Sequence, residues 1–151
     1  MRLRLQHEAS HIAVGRQGEA EAYFYLKRLG YRIVATNFRA PNDRGEIDII
    51  GWDGGVLCFV EVKTRTNVSF APPSTAVTRD KQRHILSVAK RYLRHMSSWP
   101  PCRFDIVSAV PAAPDGELQL SIRKGAFTWE TAKTRRSRVR DYYRDYARRF
   151  R

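Results

Sequence analysis

The sequence predicts one α/β domain in which helices flank a mixed central sheet. The chain has 151 residues, enough for a single core that buries a five-stranded sheet under a few helices. Its apolar residues follow the patterns of a helix, three strands, a second helix and two further strands, in that order. Turn-forming residues separate these segments, and the sequence contains no internal repeat.

The chain is expected to begin with a helix, a strand and a loop. Apolar residues recur at helical spacing over residues 10–29, where Ser10 is a suitable N-cap and Gly30 a suitable terminator. Residues 31–38 have the pattern of a strand with apolar residues near its middle. Residues 40–45 are dense in turn formers, so we expect a loop before the next strand.

Two strands over residues 46–52 and 56–65 are predicted to form a β-hairpin. The Asp-Gly-Gly sequence between them is a strong turn signal. Residues 66–77 contain two prolines and several small polar residues, and they predict a mobile loop.

A second helix and two more strands complete the predicted domain. Thr78 is a suitable N-cap for the helix, and the Trp-Pro-Pro sequence at residues 99–101 ends it. Strands are expected over residues 103–110 and 118–123, on either side of a Pro-Asp-Gly turn. The domain is therefore assigned to residues 1–130.

The charge of the chain indicates a polyanionic partner. There are 28 Lys and Arg against 15 Asp and Glu, a net charge of +13, and the sequence pI is about 10.4. Nucleic acid is the commonest partner for such an excess, and charge that serves only solubility is the alternative. An anionic membrane is not expected as a partner, because no apolar run approaches the roughly 18 residues of a span.

The N-terminus lacks the continuous apolar stretch of a secretory signal. Two cysteines, Cys58 and Cys102, cannot form a disulfide framework, and Cys58 lies in an apolar strand as an expected buried thiol. We therefore expect a cytoplasmic location.

The last 21 residues differ in composition from the rest of the chain. Residues 131–151 hold nine basic and two acidic residues, and aromatic residues recur every three to four positions. This pattern predicts a basic amphipathic helical extension. Packing on the domain or on another molecule is the favoured role, and stacking on bases is the alternative.

The chemistry is expected in the hairpin. Glu61 and Lys63 are two residues apart in an apolar strand, so both side chains leave the same face. Asp48 lies between two isoleucines of the preceding strand, and antiparallel pairing can place it beside them. Buried charges need partners. A solvated face or an internal Glu61–Lys63 ion pair is the structural alternative.

A hard divalent cation explains this choice of residue types. Mg²⁺ prefers oxygen ligands and commonly takes one or two carboxylates together with waters and phosphate oxygens. Lys63 is then placed to contact the attacking water or the scissile phosphate. The three residues therefore predict phosphodiester cleavage that depends on Mg²⁺ or Mn²⁺.

These residues resemble the restriction-endonuclease-like nucleases, whose motif is an aspartate followed by Glu/Asp-x-Lys. More closely, the chain resembles the YraN family of predicted endonucleases over roughly residues 13–127. The matching segments are residues 15–22 (GRQGEAEA), 30–31 (GY), 37–39 (NFR), 45–48 (GEID), 59–65 (FVEVKTR), Lys81 and 103–105 (RFD).

The resemblance implies a restriction-endonuclease-like three-layer α/β/α core with a mixed central sheet, related to Holliday-junction resolvases. It implies that Asp48 and Glu61 are metal ligands, with the Val62 carbonyl as a third, and that Lys63 is the catalytic lysine. It also implies that Glu19 is the first-helix carboxylate of such nucleases. Glu19 falls on the apolar stripe of its helix, which suits a water-mediated ligand, although a carboxylate that reaches solvent is equally compatible.

Four residues are candidates for contacts with nucleic acid. Lys81, Gln82 and Arg79 open the second helix, where free backbone amides also favour an anion, and the resemblance singles out Lys81. Arg65 follows the catalytic strand and is a further candidate for a phosphate contact. Near the fourth strand, Arg103 and Asp105 are expected to form an ion pair.

Three functions follow from these features. The first is a metal-dependent endonuclease that acts on DNA, including branched or single-stranded forms. The second is a nucleic-acid-binding module of the same fold with little or no cleavage activity. The third is a protein–protein adaptor that uses the tyrosine-rich C-terminal helix. Many relatives act on two strands as dimers, so a homodimer is also an open alternative.

Overall fold

The computed structural model describes residues 2–65, 77–112 and 117–130, with the side chains of the first helix described from residue 13 onward. The predicted extension over residues 131–151 lies outside these ranges, as does nearly all of the loop expected over residues 66–77. Within the described part, no helix has the length and apolar character needed to cross a membrane.

The predicted order of helices and strands is confirmed. The elements are α1 (Arg2–Arg28), β1 (Arg32–Arg39), β2 (Glu46–Asp53), β3 (Val56–Thr64), α2 (Arg79–Leu93), β4 (Cys102–Pro111) and β5 (Leu118–Phe127). Thr78 caps α2 as expected, because its side-chain oxygen accepts a hydrogen bond from the Lys81 backbone N–H.

Two helix boundaries differ from the prediction. Helix α1 begins at Arg2, so Ser10 lies inside the helix and is not its N-cap; the residues before Ser10 are mostly good helix formers. The expected end of α1 is confirmed, since Gly30 has a φ of 91° and donates its backbone N–H to the Lys27 carbonyl. Helix α2 ends at Leu93, well before the Trp-Pro-Pro sequence, and turns connect the two.

The sheet is mixed, as predicted. Its strand order is β1-β2-β3-β4-β5, with antiparallel pairing everywhere except between β3 and β4, which are parallel and connected through α2. The tight β2–β3 hairpin closes with Asp53 opposite Val56, and Gly54 adopts a φ of 58° in the turn.

Strand β3 is buried on both sides and separates two apolar clusters. Leu57 and Phe59 pack in the cluster that contains the buried residues of α2, whereas Cys58, Val60 and Val62 pack in the cluster that contains those of α1. Alternate side chains of a strand point to opposite faces, so each helix covers its own face of β3. Cys58 is a buried free thiol, as expected, and burial raises its pKa to about 12.

Two glycines allow the helices to approach the sheet closely. A Cβ atom at Gly18 of α1 would collide with Thr64 Oγ1 near the end of β3. A Cβ atom at Gly45, just before β2, would lie 3.1 Å from His84 Cβ and 3.0 Å from Val88 Cγ2 of α2. These contacts fix both helices against the same end of the β2–β3 hairpin.

A buried polar network joins the strands between the middle of the sheet and the β2–β3 hairpin. The fully buried Asp105 accepts hydrogen bonds from Arg103 Nε at 2.8 Å and from the Tyr31 hydroxyl at 3.0 Å. The predicted Arg103–Asp105 ion pair is therefore confirmed. Asp53, at the end of β2, accepts from both Lys124 and Arg103, and these bonds lower its pKa. The network links β2, β4 and β5 to the residue that precedes β1.

Candidate active site

Strand β2 changes the direction of its side chains at Asp48. Ile47 and Ile50 pack in the α2 cluster, whereas Ile49 packs in the α1 cluster. In a regular strand, residues two apart share a face, so the alternation is interrupted between Ile47 and Ile49. The paired register of β2 with β3 reaches Ile49 opposite Val60 and stops there. Asp48 therefore lies where the two strands separate.

Where the two strands separate, the Asp48 carboxylate accepts a hydrogen bond from a backbone N–H of β3. Its Oδ2 accepts a hydrogen bond of 2.7 Å from the backbone N–H of Val62. Asp48 and Glu61 are each one residue beyond the last pair of the ladder, and both are buried. We call these two residues the carboxylate pair.

Burial changes the acidity of the carboxylate pair. It raises the pKa of Asp48 and, together with the charge of Asp48, raises the pKa of Glu61 to about 7. Two carboxyl groups that resist ionisation and influence each other lie close together, as the sequence predicted. The interruption at Asp48, rather than a regular shared face, brings them there.

Lys81 supplies a cation to this pair from the first turn of α2. Its Nζ lies 3.2 Å from Glu61 Oε2, and the exposed fraction of its side chain is 33%. The contact is within ion-pair distance but does not satisfy hydrogen-bond geometry, and Glu61 Oε2 is buried without a hydrogen bond from the described residues. Thr78 caps α2 by accepting a hydrogen bond from the Lys81 backbone N–H, so the cap also fixes the position of the Lys81 backbone.

Lys63 lies near the pair but does not neutralise it by direct contact. The alternation of β3 places Lys63 and Glu61 on the same side of the strand, as predicted, and Lys63 is exposed opposite Ser108 of β4. Burial dominates the pKa of Glu61, and the charge of Lys63 acts against it. Glu61 thus forms its ion pair with Lys81 of α2. The Glu61–Lys63 ion pair, which was the structural alternative, is not found among the described residues.

Glu19 approaches the site from α1, immediately after Gly18. It is half-buried, and burial and then the charges of Asp48 and Glu46 raise its pKa. However, within residues 13–65, 77–112 and 117–130, no three His, Cys, Asp or Glu side chains form a group that could hold a metal ion. Glu19 is therefore a neighbour of the carboxylate pair in this arrangement.

An open cleft of about 970 Å³ connects Glu19 with Asp48. It lies between α1 and strands β1 and β2, and we call it the α1 cleft. The residues that matter for its chemistry are Arg16, Glu19, Tyr23, Phe24, Asn37 and Asp48.

The four candidates for phosphate contacts occupy different environments. Lys81 is committed to Glu61, and Gln82 Nε2 donates a hydrogen bond of 3.1 Å to the Val77 carbonyl. Arg79 is exposed at the first position of α2, and Arg65 directly follows β3. The structure thus brings Lys81 to the carboxylate pair, uses Gln82 to hold the start of α2, and leaves Arg79 at the surface.

The donor set fits a hard divalent cation. Both buried carboxyl groups have raised pKa values, and Glu61 Oε2, which lies 3.2 Å from Lys81 Nζ, accepts no hydrogen bond from the part of the chain that the structure describes; carboxylate oxygens of this kind suit Mg²⁺ or Mn²⁺. Val62, whose carbonyl is expected as a further ligand, lies between Glu61 and Lys63 and gives its N–H to Asp48. Asp48 and Glu61 are the residues that would hold the ion.

Sequence reasoning missed Asn37 as a residue of this region. Asn37 lines the α1 cleft from β1 with a φ of 50°, in a strand where positive φ is rare. Asparagine tolerates this conformation better than other residues with a side chain, apart from aspartate. An asparagine inside a predicted strand was therefore a signal of a local distortion.

Comparison with known proteins identifies similar sequences in several bacteria. The profile of the family described as "Uncharacterised protein family UPF0102" matches residues 18–109. A UPF0102 protein of Koribacter versatilis is 48% identical over 120 residues, which cover 80% of this chain and 82% of the relative. Another from Symbiobacterium thermophilum is 48% identical over 115 residues, covering 76% and 95%. A third, from Chlorobaculum tepidum, is 44% identical over 112 residues, covering 74% and 83%.

Proposed function

The chain belongs to the uncharacterised protein family UPF0102, the family that its resemblance to YraN indicated, and we propose that it is a metal-dependent endonuclease that cleaves DNA. The observation that carries this proposal is the buried carboxylate pair, in which Glu61 Oε2 accepts no hydrogen bond from the described residues, although Lys81 Nζ lies 3.2 Å away. We further propose that the two helices and the mixed sheet form a restriction-endonuclease-like three-layer core.

Each residue of the site has a role in this proposal. Asp48 and Glu61 hold Mg²⁺ or Mn²⁺, and the Val62 N–H keeps Asp48 in its orientation. When bound, the cation supplies a water of lowered pKa and offsets negative charge on the phosphate oxygens. The exposed ammonium of Lys63 contacts the phosphate from the same side of β3 as Glu61. The net charge of +13 draws the polyanionic substrate to the protein.

A nucleic-acid-binding module without cleavage is the second candidate, and one observation favours it. Lys81 already compensates Glu61 at 3.2 Å, so the carboxylate has a cationic partner within the chain itself. In a pure binder this ion pair would be permanent. In an endonuclease the metal ion competes with it for the Glu61 oxygen.

The decisive experiment is incubation of the purified protein with plasmid, single-stranded and four-way-junction DNA in Mg²⁺, Mn²⁺ or EDTA. We expect cleavage that requires the metal ion and falls more than about a hundredfold in Asp48→Asn and Glu61→Gln, since losing even an outer-shell partner of a metal costs about 10–100-fold. Glu21→Gln, which changes an exposed carboxyl of α1 outside the residues that line the cleft, is the matched control and should cleave normally.

DNA binding measured in EDTA separates the two candidates. Binding by wild type and both variants, with cleavage by none, would establish the binding module. Equal cleavage by wild type, Asp48→Asn and Glu61→Gln would show that the carboxylate pair is not the active site.

A further inference from the structure

An exposed aromatic residue stands in the α1 cleft beside the proposed active site. Phe24 is 57% exposed, the largest exposed fraction among the exposed large hydrophobic residues of the described chain. Its ring meets Tyr23 edge to face at a centroid distance of 5.3 Å, and Lys27 Nζ lies 5.5 Å from the Tyr23 ring centroid. Isolated exposed apolar residues are ordinary, but this one lines an open cleft next to acidic groups.

The residues of α1 that line the cleft follow a chemical order along the helix. Arg16, Glu19 and Tyr23 are three to four positions apart and therefore share one face. Phe24 lies about 7.5 Å farther along the helix axis than Glu19, at about 1.5 Å per residue. A cation, a carboxylate near Asp48 and the ring of Tyr23 thus follow one another on this face, and Phe24, which lies off that face, lines the cleft beside Tyr23.

The opposite wall presents a polar group that can recognise a base. Asn37 is exposed on the edge strand β1, and none of the described residues forms a hydrogen bond with its side-chain amide. An amide offers both donors and an acceptor, which suits the hydrogen-bonding edge of a nucleobase. The guanidinium of Arg39, in contrast, is engaged by Glu46, with Nε 2.8 Å from Oε2.

We propose that the α1 cleft binds one unpaired nucleobase of a single-stranded DNA segment, stacked on Phe24 with its edge at Asn37. This inference rests on the proposed function and specifies its substrate class. Arg16, which is exposed at the other end of the wall, complements the charge of the adjoining backbone phosphate. A base inside a duplex is covered on both faces by its neighbours, so it cannot offer a face to Phe24. The site therefore selects strands, ends or junctions with unpaired nucleotides.

Binding in EDTA tests the inference without cleavage. Fluorescence anisotropy would compare a single-stranded oligothymidylate with a blunt duplex of equal length, for wild type, Phe24→Ala and Leu29→Ala. Leu29 is the matched control because it is 44% exposed and follows the end of α1, outside the set of residues that line the cleft. Phe24→Trp tests whether an aromatic ring suffices.

We expect Phe24→Ala to weaken single-strand binding between about 5-fold and 100-fold, the range for loss of one stacked base. Duplex binding should change less than about twofold, and Leu29→Ala should match wild type on both. Phe24→Trp should retain single-strand affinity. A 2-aminopurine base in the oligonucleotide should be quenched by wild type and less so by Phe24→Ala.

The contrary outcomes are distinct. If wild type binds single strands and Phe24→Ala binds them equally well, or loses duplex binding to the same extent, the inference is wrong and the proposed function stands. If wild type binds no form of DNA, both the inference and the proposed function are wrong.

Discussion

Lys81 Nζ of α2 lies 3.2 Å from Glu61 Oε2 of β3, so a residue of the second helix compensates a carboxylate that is buried in the sheet. The two residues are 20 positions apart, and the parallel crossover between β3 and β4 brings the start of α2 back to the end of β3. Without Lys81, the charge of Glu61 would be buried near that of Asp48 with less compensation.

Replacement of Lys81 should therefore destabilise the metal-free protein when Glu61 is ionised. We expect Lys81→Met to lower the free energy of unfolding by on the order of 1 kcal/mol at pH 8 in EDTA, a modest effect because the lysine is one-third exposed. At pH 5, where Glu61 is protonated, the loss should be smaller. Thermal unfolding at both pH values measures this loss of stability. Arg79→Met, on the same helix turn, is the control. An equal loss at both pH values would contradict the prediction.

The raised pKa of Glu61 predicts a particular dependence of stability on pH. Because burial raises this pKa from 4.5 to about 7, the folded state binds more protons than the unfolded state between those values. The stabilising effect of protonation is therefore complete below about pH 4.5 and is lost as the pH rises to about 7. In EDTA, the Tm of wild type should fall relative to Glu61→Gln across this window, by on the order of 5 °C.

The control for this measurement is Glu21→Gln, which changes an exposed carboxyl of α1. The difference in Tm between this variant and wild type should stay constant across the window. If Glu61→Gln also runs parallel to wild type from pH 4.5 to 7, the burial of an ionisable Glu61 is disproved.

The close approach of α1 to β3 predicts opposite effects at two glycines. Gly18→Ala should destabilise the fold by about 1–3 kcal/mol, because its Cβ would collide with Thr64 Oγ1. The double variant Gly18→Ala, Thr64→Ala should recover part of the loss, since the obstructing oxygen is gone. Gly15→Ala meets no atom within 4 Å and should stabilise the helix by up to about 1 kcal/mol. Urea unfolding would measure all three, and equal behaviour of the two single variants would refute this packing.

The basic C-terminal residues make a prediction that depends on charge alone. Residues 131–151 carry nine basic and two acidic residues, so a chain that ends at residue 130 should bind DNA more weakly. The slope of log affinity against log salt is negative, and each lost phosphate contact makes it less steep by about 0.9. We expect this slope to become less negative by more than about 2 for the shortened chain. An unchanged slope would mean that the extension does not contact phosphate.

Local patterns were sufficient to predict most elements of the fold. The order of strands and helices, the Asp-Gly-Gly turn, the Thr78 cap and the Gly30 terminus depend on neighbouring residues, and all are confirmed. The predicted start of α1 at residue 10 was wrong, because good helix formers extend the helix to Arg2 without an apolar stripe. Leu29, the last residue of the predicted helix, lies outside α1 and is 44% exposed.

The geometry of the site depended on contacts that no local pattern contains. The sequence indicated that Asp48 and Glu61 belong together, but not that β2 and β3 separate between them. That separation arises from the packing of Ile47 and Ile49 into different clusters, which requires both helices to be in place. The sequence indicated Lys63 as a partner of Glu61 only in the structural alternative to a cation, whereas the fold brings Lys81 from α2.

The polar network around Asp105 holds one part of the sheet together, and the β2–β3 ladder opens in another. Arg103, Tyr31 and Asp53 fasten the strands at the hairpin end, while the ladder of β2 and β3 opens at the end that holds Asp48. The strands are therefore held together from the hairpin to the middle of the sheet, and the carboxylate pair lies where the ladder opens. Substitutions at the end that holds Asp48 should therefore leave the bonds around Asp105 intact, whereas substitutions in those bonds should loosen β2, β4 and β5 together.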